Sequence, residues 1–171
     1  MKHILHLYSN LMNLYGDWGN VAVLEHRLNN RGIVTTVDKI NTVNEVDFNI
    51  YDFIYIGSGT ENSLLACMQD IKHNKDALLA YIESNKPMLV TGNSHEIFGK
   101  TITDYKGTNH KMLGLLEFET IQENTRITGD CKAKVLFMED NVDPIVGFIN
   151  RAGGKQIGNI ERPFFIEPLE G

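Results

Sequence analysis

Cysteine is scarce in this chain: Cys67 and Cys131 are its only two, and no CxxC spacing joins them. That excludes a disulfide framework or a zinc ribbon and suits a reducing compartment. Basic charge is in deficit, with 16 Lys and Arg against 22 Asp and Glu and a net charge of -6. A chain of that sign offers no footprint for nucleic acid or an anionic membrane, so neither is expected as a partner. No apolar run approaches the roughly 20 residues that span a bilayer. The opening "MKHILHLYSN" alternates like a strand and is too short and too polar for a signal peptide. No repeat, low-complexity tract or linker interrupts the chain, and no His, Cys or carboxylate pair has metal-ligand spacing. Neither a metal nor a cofactor is expected. What is present is ordinary for a globular protein: 42% apolar and 22% charged residues over 171 positions. That length can bury one core, and a single cytoplasmic domain over residues 1–171 is expected.

The periodicity predicts alternating strands and helices. "HILHLY", "IVTTV" (Ile33 to Val37), "YDFIYI" (Tyr51 to Ile56) and Pro87 to Val90 read as strands. Asp17 is placed to cap a helix reaching about Arg31, with Val21, Leu24 and Leu28 on one stripe and Gly32 as its stop. A second helical stretch runs from about Asn62 to Ser84 and breaks near Asn74. This order predicts an α/β fold, a largely parallel sheet with helices on both faces. The connection "DKINTVNEVDFNI" is short for a crossover helix. Beyond Gly99, "LEFETI", "RITGDCKAKVLFM" and "PIVGFIN" read as antiparallel strands added to one edge of that sheet.

In an open parallel sheet, ligands bind outside the carboxyl ends of the strands. Three loops leave the expected strands there: "SNLMNLYGDWGN", "GSGTEN" and "TGNSHE". Their Tyr15, Asp17, Asn20, Asn93 and Ser94 are ligand-binding candidates. Gly57 and Gly59 would let main-chain N–H groups turn outward as an anion nest, able to hold an oxyanion, a phosphate or a carboxylate. Arg126, read in a polar turn before a strand, could clamp a carboxylate. Turn chemistry alone also accounts for each loop taken singly, and a solvated arginine for Arg126. His95 and Glu96 read as helix-start residues, Cys67 as core packing, and Cys131 as a strand residue without an activating neighbour.

One segment has the form of an elbow. "KPMLVTGNSHEIFGK" is an apolar strand, a turn and a helix-like piece, the order in which many α/β enzymes present a nucleophile. Its tip, Thr91-Gly92-Asn93-Ser94, holds no cysteine.

Together with "MNLYGDWGN" (Met12 to Asn20), "IGSGT", "MLGLLEFET", "NTRITGD" and "VGFINRAGG", this segment makes the chain resemble a known family. The resemblance is to class I glutamine amidotransferase domains of the cobyric acid synthase type, and among them to the small glutaminase subunits of lipid II isoglutaminyl synthases. It runs almost end to end. It implies a flavodoxin-like three-layer fold, a role related to cobalamin or cell-wall synthesis, and a synthetase or ligase-like partner subunit that receives ammonia. In such domains a cysteine at the elbow, assisted by a later histidine, hydrolyses glutamine. A glycine-rich loop forms the oxyanion hole and an arginine contacts the glutamine. Carried over, the oxyanion loop falls on Gly57 and Gly59 and the arginine on Arg126. The family text around the nucleophile is close to Cys-Gly-Gly-x-Gln-x-Leu-Gly. Anchored on Phe98-Gly99-Lys100, its cysteine falls on Gly92. The chain given ends at "FFIEPLEG", where such domains continue through the segment with the histidine. The expectation is therefore a binding or scaffolding subunit without the standard Cys-His activity, with glutamine or another small carboxylate as ligand. The alternatives are an active glutaminase with a non-standard or composite site, and a flavodoxin-like mononucleotide-binding protein.

Overall fold

A computed structural model describes residues 1–44, 46–135, 144–158 and 165–170. The chain divides into two compact units, Met1–Phe98 and Gly99–Gly171. The first holds a four-stranded parallel sheet of β1 (Lys2–Leu7), β2 (Thr35–Ile40), β3 (Phe53–Ile56) and β4 (Met88–Val90), in the order β2-β1-β3-β4. The four expected strands are thus those of the sheet. β2 begins two residues later than its β-branched run, because pairing with β1 starts at Lys2 opposite Thr35 and continues to Leu7 opposite Ile40. Register, rather than local propensity, sets its bounds.

Both faces of this sheet are covered. Ile4 to Leu7 point alternately to opposite faces, and all four are buried. Helix α1 (Trp18–Asn29) packs Val21, Leu24 and Leu28 against Ile4, Val37, Phe53 and Tyr55. It ends where Gly32, at φ 74°, takes the left-handed conformation. Helices α2 (Glu61–Ile71) and α3 (Lys75–Glu83) lie between β3 and β4, separated by a 3₁₀ turn at Lys72–Asn74, where the break was expected. From β1 the chain steps one way to β2, and from β3 the other way to β4. Right-handed crossovers in opposite directions put α1 on one face and α2–α3 on the other. α2 has a side-chain cap, Thr60 Oγ1 accepting from the Ser63 amide at 3.1 Å.

Among the described residues, the β2–β3 connection contains a 3₁₀ turn, Phe48–Ile50, and no crossover helix. Asp70 of α2 substitutes for one. Its carboxylate accepts from Tyr8 OH (2.8 Å), Thr42 Oγ1 (2.8 Å) and the Val43 amide (2.9 Å). This pins the connection to α2 and seats the Val43 side chain in the core.

The second unit holds a sheet of its own. β5 (Thr101–Thr103) and β6 (Asn109–Lys111) form a hairpin, and β5 runs parallel to β7 (Phe118–Val135). β7 pairs antiparallel with β8 (Ile145–Gly158) and with β9 (Phe165–Glu170). The antiparallel strands expected along the edge of the parallel sheet are gathered here instead. Phe118 to Ile121 of "LEFETI" and "RITGDCKAKV" belong to one continuous strand, and the "LFM" that follows lies outside the described residues. The polar residues between Ile121 and Arg126 coincide with a register irregularity in the pairing with β8, between Gln122 and Arg126. Among the described residues no helix is long and apolar enough to cross a membrane.

His6 sits in the centre of β1, fully buried, with its ring edge-on to Tyr55 at 5.3 Å. Neither ring nitrogen has a hydrogen-bond partner among the described residues. Burial first, and then the charge of Lys39, hold its pKa below the ordinary 6.5, against an opposing effect of Asp17. The unfolded chain therefore binds a proton at pH values where the folded chain does not, and stability falls as pH drops below about 6.5. Urea midpoints measured from pH 7.5 to 5.5 should decrease on acidification, and His6→Gln should flatten that limb. An unchanged slope in the variant would assign it to other groups.

Candidate functional site

The carboxyl ends of β1, β3 and β4 deliver three loops to one rim, as a parallel sheet requires. A buried carboxylate joins them. Asp17, 8% exposed, directly precedes α1 but does not cap it. Asn13 Oδ1 instead accepts from the Trp18 amide, at 3.1 Å. The Asp17 carboxylate turns inward and accepts from the Ser58 amide (3.0 Å), Ser58 Oγ (2.9 and 3.1 Å to its two oxygens), Thr91 Oγ1 (3.2 Å) and the Tyr15 amide (3.2 Å). Tyr55 OH stands 2.9 Å from Thr91 Oγ1 and accepts from Asn20 Nδ2 at 2.7 Å. Burial alone would raise the Asp17 pKa. The bonds from the Ser58 amide and hydroxyl, and then from Tyr15 and Thr91, outweigh it and hold the carboxyl below the ordinary carboxylate value.

The glycine-rich loop after β3 owes its composition to this packing. A Cβ on Gly57 would lie 2.2 Å from Met12 O and 2.5 Å from Asp17 Cβ, and one on Gly59 would lie 2.5 Å from Met12 Sδ. Neither glycine takes a positive φ. Their smallness admits the loop from β1. The Gly59 amide, expected to face outward as part of a nest, donates to Asn93 Oδ1 at 3.0 Å, while Asn93 Nδ2 donates to Gly59 O at 2.9 Å. The Ser58 amide between the two glycines is committed to Asp17.

At the elbow, Gly92 opens a 3₁₀ helix, Gly92–Phe98, with φ 59°. Ser94 is fully buried, with its hydroxyl donating to Thr91 O (2.8 Å) and Ile56 O (3.3 Å). His95 Nδ1 lies 2.6 Å from Gly92 O. Of the other candidates, Asp17, Asn20 and Asn93 enter this hydrogen-bonded cluster through their side chains. Tyr15 enters through its amide alone, with the residue 72% exposed. Arg126 lies inside β7, not in a turn, with Nε donating to Asn150 Oδ1 at 2.8 Å across to β8. Cys67 is buried within α2, and burial first, then the Asp70 charge, leave its thiol pushed up to about 12. Cys131 lies in β7 opposite Gly147. Sequence reasoning missed Tyr55, Ser58 and Thr91 as members of the cluster. Two signals were available: a tyrosine on an apolar strand needs a partner for its hydroxyl, and a serine between two glycines marks a close approach.

Replacing Asp17 by Asn keeps the shape but sets an NH₂ group against donors. The variant should lose about 2 kcal/mol of stability at pH 7, the cost of leaving a buried donor unsatisfied. Because the folded pKa is depressed, the contribution of Asp17 is present above about pH 3.8 and lost as pH falls through the folded value. Urea unfolding of both proteins from pH 7 downward should therefore show curves that converge below pH 3.8.

The model of the CobB/CobQ-like glutamine amidotransferase domain matches residues 3–169, across both units. The chain is 31% identical over 150 residues to "Lipid II isoglutaminyl synthase (glutamine-hydrolyzing) subunit GatD" of Staphylococcus aureus strain N315, covering 88% of this chain and 60% of that protein. It is 29% identical over 162 residues to the protein of the same name from Streptococcus pneumoniae strain ATCC BAA-255 / R6, covering 94% and 61%. The aligned part thus spans about 60% of each curated relative. With its parallel sheet, its rim of three loops and a match over nearly its whole length, the chain belongs to the CobB/CobQ-like glutamine amidotransferase family.

Proposed function

We propose that this chain is a glutamine-amidotransferase-like subunit that works beside a synthetase in the cytoplasm and does not itself release ammonia from glutamine by a thiol mechanism. The observation that carries the reading is position 92. The backbone there turns at φ 59°, in the strained region where α/β enzymes display a nucleophile at the end of a strand, and the residue is glycine. Amide hydrolysis through a covalent intermediate needs an attacking atom, and its loss removes most of the rate. The flanking hydroxyls do not supply one: Thr91 donates to Asp17, and Ser94 donates to main-chain carbonyls. The names of the relatives describe glutamine-hydrolysing subunits of a lipid II isoglutaminyl synthase. Carried to this chain, they support the partner class, a synthetase, and glutamine or a similar small carboxylate as ligand. Fold and family do not carry the hydrolysis, because activity lives in the site.

The test is ammonia release. The intact protein, alone and with a ligase-like partner, should release none from glutamine above the background of buffer. An electrophilic glutamine analogue should leave Cys67 and Cys131 unmodified. Sustained glutamine-dependent release by the protein alone would overturn the reading, and release only with the partner would replace it by a composite site.

A further inference from the structure

Position 92 is closed to a side chain by something more specific than backbone strain. A Cβ on Gly92 would lie 2.4 Å from Ser58 Cβ, with Ser58 Cα and Oγ at 3.4 Å. Each β-carbon is fixed by its own backbone, so no change of rotamer relieves that contact, and one main chain must move. Both are held. Ser58, 5% exposed, donates its amide to Asp17 at 3.0 Å and its hydroxyl to the Asp17 oxygens at 2.9 and 3.1 Å, and its carbonyl accepts from the Leu14 amide at 2.9 Å. On the facing side, the Thr91 amide donates to Ile56 O at 3.0 Å, and Asn93 bonds both polar groups of Gly59.

We propose that Ser58, clamped by Asp17, is the specificity-determining residue of the elbow. It excludes any side chain from position 92, so that a nucleophile there requires glycine at position 58. The inference deepens the proposed function and rests on its reading of position 92 as the nucleophile position. The Ser58 hydroxyl, although beside a carboxylate, is a donor spent on holding this obstruction in place. With the serine Cβ removed, the nearest atom to a Cβ at position 92 is the residue 58 Cα, at 3.4 Å, an ordinary van der Waals contact. The positive φ of Gly92 penalises every other residue whatever stands at 58. A single substitution therefore cannot separate the two effects, and a double-mutant cycle can.

The cycle compares the intact protein as wild type, Ser58→Gly, Gly92→Cys and the double variant, with folding equilibrium constants taken from urea unfolding. Ser58→Gly alone should lower the constant, because it removes the donor to Asp17. In the Gly92→Cys background the same change should raise it by about tenfold, within the range for residues in direct contact. A Gly92→Cys protein that fails to fold beside a folded double variant supports the proposal equally. If neither cysteine variant folds, Gly92→Ala with and without Ser58→Gly makes the same β-carbon contact and is read the same way. If the alanine pair also shows no rescue, Ser58 is not the obstacle and the proposal falls. Additivity of the two changes would likewise overturn it, while leaving the proposed function standing, because that function is judged by ammonia release.

Discussion

The carboxylate of Asp17 is the interaction on which the rim depends. A buried anion is tolerated only when its lone pairs are met, and here the donors come from three segments that converge only in the folded chain. The Tyr15 amide is local, Ser58 is 41 residues away and Thr91 is 74. Removing the charge would leave several donors unpaired at once, so the loops after β1, β3 and β4 are interdependent. Tyr55 extends the same cluster down into the sheet and reaches Asn20 at the start of α1. The glycines at 57 and 59 follow from that convergence, since the loop bearing Met12 and Asp17 lies directly against them.

Most of the first unit was legible in the sequence because its signals are local. The stripe Val21, Leu24, Leu28 marks the face of α1 that packs on the sheet, and the break near Asn74 is where α2 gives way to α3. The site was legible in position but not in wiring. An aspartate one residue before a helix reads as a cap, and nothing nearby in the chain says that its partners lie far away. Asn13, five residues before Trp18, takes the capping role instead. In the second unit, Gly129 and Asp130 carry the composition of a turn. They lie within β7 because pairing across to β8 satisfies their backbone, a choice made by tertiary contact and invisible to a local window.

The parallel sheet that the resemblance implies is formed, and the elbow at its rim is held by its own side chains. The parallel sheet, the order β2-β1-β3-β4 and a positive φ at the end of β4 are all in place. The side chains that meet there are donors and acceptors turned on one another: Ser58 on Asp17, Ser94 on Thr91 O, Asn93 on Gly59. Here the hydroxyls at the elbow are spent on holding its shape.

The clasp between Asn93 and Gly59 has a mechanical meaning. β3 and β4 stop pairing after Ile56 meets Val90, and the Thr91 amide makes one last bond back to Ile56 O. Beyond that point β3 and β4 form no further ladder pair among the described residues. An asparagine side chain carries the same donor and acceptor as a peptide group, and with both engaged by Gly59 it acts as one further rung of the ladder, laid across the gap by a side chain instead of a strand. The linkage of β3 to β4 is therefore continued past its formal end by a side chain, and the loops that follow the two strands are tied to each other there.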